Sequence, residues 1–239
     1  MILSSSGIVL STLRYSDSSV IARVYTREKG LRAFMVRTGK GKSAISKLSL
    51  LQPLSLVSVS FKDDERKTMH TIRSIERENS LRSIPFDPVK TCIALFVAEV
   101  IGRSIGEEEK NDELFKFLQS SILLLDDGEN PNNFHLKFMI EFTRFLGFYP
   151  QRAISGQPYF DLSEGEFLQT EPPHPYFLEG KLASAFSELI GTGMTSFDSV
   201  RITNSHRREL LQKLIDYYRL HLDGMKEINS HKVLEEVLS

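Results

Sequence analysis

Short segments that alternate apolar and polar residues fill the first 80 positions of the chain. The clearest are Val-Ile-Ala-Arg-Val-Tyr at 20–25 and Leu-Val-Ser-Val-Ser-Phe at 56–61. A period of two residues is typical of β-strands with one buried face, and turn-forming residues such as Ser16-Asp17-Ser18 separate the segments. The pattern predicts five strands, at 7–13, 20–26, 31–37, 54–61 and 67–75.

Five short strands with no long helix between them favour a small closed or partly open barrel. The OB-fold is the commonest five-stranded barrel, and a β-sandwich is the alternative. We therefore predict an OB-fold domain at residues 1–80.

After Pro85 the apolar residues recur at helical spacing. The segment 134–148 is apolar on nearly all sides, which predicts the central helix of a bundle, ended by Gly147 and Pro150. The segment 157–171 resembles a β-hairpin with Glu164-Gly165 at its tip. Other helices are predicted at 89–101, 114–125, 182–190, 207–221 and 232–238. The predicted fold class is α+β, with an α-helical C-terminal domain at 81–239 that carries the hairpin as a small insertion.

Charge divides the chain in the same way. The net charge is -1, but residues 1–84 hold fifteen Lys and Arg against seven Asp and Glu, whereas residues 85–239 are acidic. Such an asymmetry indicates a polyanionic partner for the first part, although a solvated basic face is the simpler alternative. Eight basic residues of this part are candidate nucleic-acid contacts: Arg14, Arg23, Arg27, Arg32, Arg37, Lys40, Lys42 and Lys47.

The loop Thr38–Ser43 contains Gly41-Lys42-Ser43, which invites comparison with a phosphate-binding P-loop. That motif requires a glycine at position 36, where this chain has Val36, so nucleotide hydrolysis is not expected. In OB-folds, basic groups near strands 2 and 3 follow the phosphates while aromatic rings stack on bases. The candidate stacking residues, each of which would also suit a barrel core, are Tyr15, Tyr25 and Phe34.

The remaining chemistry-bearing residues do not form a catalytic or metal-binding pattern. One cysteine, Cys92, cannot build a cysteine zinc site, and the six histidines lack metal-ligand spacing. We expect no metal, no cofactor and no enzymatic activity. No apolar stretch approaches a membrane span and no cleavable leader is apparent, so we expect a cytoplasmic protein.

Two basic residues, Lys137 and Arg144, interrupt the apolar central helix. A cation beside an apolar groove can bind a peptide whose carboxy terminus is acidic and aromatic, although snorkelling at the rim of the bundle is the alternative.

Together these residues resemble the RecO family of recombination mediators over nearly the whole chain. The order and spacing of the matching pieces make the resemblance specific. Those pieces are Gly7–Leu10, Tyr15–Ser18, Tyr25–Gly30, Arg37–Lys47, Leu51–Leu54, Phe138–Phe148, Tyr217–Leu222 and Lys226–Leu234. One departure is that 150–167 lacks the four-cysteine zinc site of many family members, as in the cysteine-poor versions of the Bacteroidetes lineage.

The resemblance implies binding to single- and double-stranded DNA and annealing of complementary strands. It also implies contact with RecR and with the acidic tail of single-strand DNA-binding protein, so that RecA is loaded during repair. In the family this tail binds the helical body, and Lys137 matches a basic residue of that pocket. Two alternatives are an RNA-binding OB module and a protein-interaction adaptor whose basic face meets an acidic protein.

Overall fold

A computed structural model describes residues 2–39, 41–64, 66–106 and 110–238, except for the side chains of Lys42 and Ser43. The strands are β1 (Ile2–Ser16), β2 (Ser19–Thr26), β3 (Gly30–Arg37), β4 (Leu56–Lys62), β5 (Met69–Arg77), β6 (Tyr159–Asp161), β7 (Glu166–Leu168) and β8 (Phe177–Leu178). The α-helices are α1 (Lys42–Leu50), α2 (Pro88–Ser104), α3 (Asp112–Asp127), α4 (Phe134–Leu146), α5 (Gly180–Gly191), α6 (Asn204–His221) and α7 (His231–Val237).

The first five strands close into a barrel in the order β1-β2-β3-β5-β4. Every neighbouring pair is antiparallel except β3 and β5, which run parallel. This is the OB-fold topology, so the prediction of a five-stranded OB barrel is confirmed. The barrel is filled by valines and by the rings of Phe34 and Phe61, whose centroids lie 4.9 Å apart.

Helix α1 lies between β3 and β4, where the sequence analysis predicted only a loop. Its apolar period is weak because Ile45 and Leu48 are exposed rather than buried. The C-terminal end of α1 attaches the helix to the barrel, because Leu50 packs against the barrel core and the next residue, Leu51, belongs to that core. The basic segment after β3 is therefore partly helical, and it begins with Thr38 and Gly39, which belong to no helix or strand.

By packing, the chain divides into two units, one of residues 1–87 and 97–127 and the other of residues 88–96 and 128–239. The first unit contains α3 as well as the barrel, since Tyr25 stacks on Phe115 at 6.3 Å between ring centroids. The two packing units do not coincide with the predicted domains, 1–80 and 81–239. The domain boundary between residues 80 and 81 stays a prediction.

Helix α4 forms the centre of the second unit, as the sequence predicted. Nine of its thirteen residues are buried, and it packs against α5 and α6. Tyr218 of α6 donates a hydrogen bond to the carbonyl of Met139, at 2.7 Å. Gly147 ends α4 in the left-handed conformation, with φ of 88°, which a residue without Cβ adopts at little cost.

The predicted hairpin corresponds to β6 and β7, and Gly165 takes the positive φ of 71° that its turn requires. Strand β8 adds a third strand on the other side of β6 that the sequence analysis did not predict. None of the described helices is both long enough and apolar enough to cross a membrane.

Candidate nucleic-acid interface

The outward side of β1, β2 and β3 combines apolar side chains with two arginines. Side chains alternate along a strand, so the valines of β2 enter the core while Ile21 and Arg23 remain outside. Ile21 lies opposite Leu13 of β1 and Met35 of β3, and Leu13 is 68% exposed. We call this surface the outer face; it consists of Leu13, Ile21, Arg23, Met35 and Arg37.

Arg23 and Arg37 provide the positive charge of the outer face. Within the described residues, neither guanidinium is paired with a carboxylate. Lys47 reaches back from α1 and donates a hydrogen bond from Nζ to the carbonyl of Arg37, at 2.9 Å. The outer face thus offers cations for phosphates beside apolar surface for bases, which is the combination that single-stranded nucleic acid requires.

Two other predicted contacts, Arg14 and Arg27, are paired with carboxylates of the chain itself. Arg14 lies 2.9 Å from Asp17, at the exposed β1–β2 turn. Arg27 donates to Asp112 at 2.5 Å, and hydrogen bonds from Arg27 and Lys116 lower the pKa of Asp112 to about 2. The Arg14–Asp17 pair is largely exposed, whereas the Arg27–Asp112 pair is partly buried. The exposed pair contributes little stability, but both pairs neutralise part of the charge expected for DNA.

The last three predicted contacts lie in different places. Arg32 is half-buried and faces a cleft at the end of the barrel that also contains Lys29 and Lys67. Lys40 lies outside the described residues. Lys42 is the first residue of α1, and the position of its side chain is likewise outside the described part of the chain. The structure therefore places Arg23 and Arg37 on one side of the sheet, with Lys47 hydrogen-bonded to Arg37, and Arg32 on the other side.

Of the candidate stacking residues, Tyr15 alone is accessible, with 61% of its surface exposed. Tyr25 is fully buried against Phe115, and Phe34 is fully buried in the barrel core. Both therefore serve packing rather than base stacking. The sequence analysis missed Leu13, Ile21 and Met35 because apolar residues on the outer side of a strand cannot be distinguished from core residues in the sequence. The signal that could have identified them is their position in the strand alternation, since all three fall on the side of β1, β2 and β3 opposite to the core.

Lys137 lies in the interior of the second unit rather than at its surface. Its side chain is 0% exposed. Its Nζ donates to Glu141 at 2.6 Å and to the carbonyl of Leu189 at 2.8 Å. Burial lowers the pKa of Lys137, against the opposing effect of the Glu141 carboxylate. Contact between Lys137 and a partner's tail stays a prediction, and it requires this internal pair to open.

Arg144 lies two helical turns after Lys137 on α4 and is accessible, with 48% of its side chain exposed. It donates from Nε to the other oxygen of Glu141 at 2.6 Å, and its guanidinium stacks 3.4 Å from the ring centre of Tyr149. Burial alone would raise the pKa of Glu141, but hydrogen bonds from Arg144 and Lys137 hold it below its ordinary value. Glu141 therefore remains charged and holds both cations in place.

In the described part of the chain, no three His, Cys, Asp or Glu side chains are grouped so that they could hold a metal ion. The hairpin region is instead connected by polar contacts and rings. His174 approaches Asp161 at 3.2 Å, and Phe160 packs on Phe167 at 4.8 Å between ring centroids. Packing of this kind can hold the three strands together.

Comparison with known proteins gives matches over both parts of the chain. Residues 1–81 match the family model described as Recombination protein O N terminal, and residues 85–228 match Recombination protein O C terminal. The DNA repair protein RecO of Phocaeicola vulgatus is 35% identical over 243 residues, and that of Flavobacterium psychrophilum is 32% identical over 241 residues, with all of both chains covered in each case. The DNA repair protein RecO of Bacteroides fragilis is 34% identical over 240 residues, with 99% of each chain covered.

Proposed function

Since the chain belongs to the RecO family of DNA repair proteins, we propose that it is a recombination mediator that binds single-stranded DNA on the outer face of its barrel. The observation that carries this proposal is the outer face itself. Arg23 and Arg37 lie there beside the exposed Leu13, at the strands that OB-folds commonly use for single strands. Arg14 and Arg27 are assigned a weaker part, because their own carboxylates compete with phosphates.

The proposed mechanism is association without any covalent step. Cations of the outer face neutralise phosphates, and the apolar side chains between them contact bases without reading their sequence. Neutralised strands repel one another less, so two complementary strands can meet and anneal, and a duplex can be held through the same phosphates. Action in the cytoplasm, and delivery of the strand to RecA with the help of RecR, belong to this proposal.

The salt dependence of single-stranded DNA affinity tests the electrostatic part. If about four cations of the barrel engage phosphates, the logarithm of the association constant should fall against the logarithm of the salt concentration with a slope of about -3. The double variant Arg23→Gln/Arg37→Gln should reduce this slope by about 1.4, because each lost phosphate contact removes about 0.7. Fluorescence anisotropy with a labelled oligonucleotide measures both.

The matched control is Lys62→Gln/Arg66→Gln, which removes two cations of the same barrel from outside the outer face. It should change the slope much less. A wild-type slope near zero, or equal losses in both double variants, would contradict the proposal. Competition with an RNA oligonucleotide of the same sequence distinguishes a DNA-binding mediator from an RNA-binding module, which would prefer the RNA.

For the helical unit we propose that the acidic tail of single-strand DNA-binding protein docks at Arg144. Arg144 and the ring of Tyr149 present an accessible cation beside an aromatic surface. An acidic-aromatic carboxy terminus could use both. In this proposal Lys137 acts indirectly, since it holds Glu141, which in turn orients Arg144.

The tail proposal is tested with a synthetic peptide that ends in acidic and aromatic residues. Arg144→Gln should weaken its binding at least tenfold, because a charge-assisted contact to a carboxylate contributes roughly 1.5–3 kcal/mol. The control Arg208→Gln removes an exposed arginine from α6 of the same unit and should leave the affinity unchanged. Equal affinities for the wild type and Arg144→Gln would refute the docking site.

A further inference from the structure

A cleft of about 570 Å³ opens at the end of the barrel, away from the outer face. Arg32 reaches it because this residue lies opposite Val24, on the side of the sheet that turns into the barrel, whereas Arg23 points out. The turn between β2 and β3, the β4–β5 connection and the segment before α3 all contribute residues. Its lining consists of Glu28, Lys29, Arg32, Asp63, Lys67, His70 and Lys110.

Positive charge exceeds negative charge among the described residues of this cleft. Three of its four cations are paired: Lys29 with Asp63 at 2.8 Å, Lys110 with Glu28 at 2.8 Å, and Lys67, at the longer distance of 3.9 Å, with Asp64, which does not line the cleft. Arg32 uses one donor, which reaches the carbonyl of Leu31 at 3.1 Å, so most of its five N–H groups remain for a ligand. The two carboxylates of the lining thus balance Lys29 and Lys110, and Arg32 is a cation without a carboxylate partner among the described residues. Lys67 adds a second ammonium group, which the more distant Asp64 holds only loosely.

His70 adds an imidazole to the same place. Its ring is almost fully buried against the rings of Phe34 and Phe61, at 6.1 and 5.7 Å between centroids. Nδ1 is enclosed and has no hydrogen-bond partner among the described residues. Because His70 nevertheless lines the cleft, Nε2 is the nitrogen through which the ring can meet a ligand.

We propose that this cleft binds a phosphate group of the nucleic acid, at a position separate from the outer face. That the phosphate comes from nucleic acid rests on the proposed function. A guanidinium fork, ammonium groups and an imidazole lining one open cleft suit the several oxygens of a phosphate. The barrel then has two phosphate-binding places. While one strand lies on the outer face, the cleft remains available for the phosphate at a strand end or for a phosphate of a second strand.

Inorganic phosphate provides a test that involves no DNA. Titration into the full-length protein, followed through the imidazole NMR signals, should shift the His70 signals to saturation; His70→Asn identifies them. Arg32→Gln/Lys67→Gln should weaken this binding at least tenfold, whereas the control Lys62→Gln/Arg66→Gln should not. Absence of a saturable shift, or the same affinity in both double variants, would overturn the site.

Oligonucleotides then distinguish the sources of the phosphate. If the cleft takes a terminal phosphate, a 5′-phosphorylated single strand should bind more tightly than its 5′-hydroxyl form, and Arg32→Gln/Lys67→Gln should abolish the difference. If it takes an internal phosphate, both forms should bind equally, and that variant should reduce the salt slope by about 0.7 relative to the control. Stronger binding of a glutamate peptide than of either oligonucleotide would overturn the proposal in favour of a protein ligand. Failure of the wild type to bind single strands at all would refute the proposed function, which the phosphate titration leaves untested.

Discussion

Replacing His135 with leucine should stabilise the protein, and should do so more strongly in mild acid than near neutral pH. His135 is fully buried on α4, where neither ring nitrogen has a hydrogen-bond partner among the described residues. The edge-on ring of Phe96 lies 6.2 Å away between centroids. A neutral imidazole in this place leaves a donor and an acceptor unsatisfied, which costs about 1–3 kcal/mol. Leucine is similar in volume and removes that cost.

The pH dependence follows from the pKa of His135. Burial, together with the charge of Arg207, lowers this pKa from 6.5 to about 3. Between these two values the unfolded chain binds one proton more than the native chain, so the free energy of unfolding falls as the pH falls. At about pH 5 the loss amounts to about 2 kcal/mol, and near about pH 7.5 it is close to zero. In His135→Leu this group is absent, so its contribution to the pH dependence of the free energy of unfolding disappears.

The assay is urea denaturation of the wild type and His135→Leu at about pH 7.5 and about pH 5, with His206→Leu as the control. His206 is a half-buried histidine on α6 of the same unit, with no orphaned ring nitrogen among the buried polar atoms. The stabilisation by His135→Leu should grow by about 2 kcal/mol between the two conditions. A destabilised variant, or a stabilisation that does not grow in acid, would refute the reasoning.

Two further substitutions test the packing of each unit. Gly7→Val in β1 should destabilise the barrel by about 1–3 kcal/mol, because a Cβ at Gly7 would lie 2.6 Å from Cγ1 of Val24. An unchanged midpoint of thermal unfolding would show that the barrel core rearranges around the added side chain without cost. Lys137→Ala should lower the free energy of unfolding in urea by about 3 kcal/mol, because it leaves Glu141 with one cation and the carbonyl of Leu189 without its donor. A loss below about 1 kcal/mol would mean that Lys137 is not structural.

The barrel was predictable because its signal is local. Alternation over 20–26 and 31–37 appears in the sequence, and it determines which side chains enter the core. Helix α1 and strand β8 were missed for the opposite reason. The apolar residues of α1 at positions 45 and 48 are exposed, and β8 has two residues, so neither element carries a measurable period.

The functional surface was harder to predict because charge alone does not reveal pairing. Arg27 meets Asp112 across 85 positions of sequence, and Lys137 meets the carbonyl of Leu189 across 52. Contacts at such separation depend on the fold, so a list of basic residues overestimates the cations available to a ligand. The same limit concealed the cleft, whose lining comes from three distant segments.

The central claim is that single-stranded DNA lies on the outer face of the barrel. Photocrosslinking with an oligonucleotide that carries 4-thiothymidine, followed by peptide mapping, tests this position directly. The account predicts crosslinks within β1, β2 and β3, around Leu13, Tyr15 and Met35, and their loss in Arg23→Gln/Arg37→Gln. Crosslinks confined to residues 128–239, or an unchanged pattern in that variant, would contradict it.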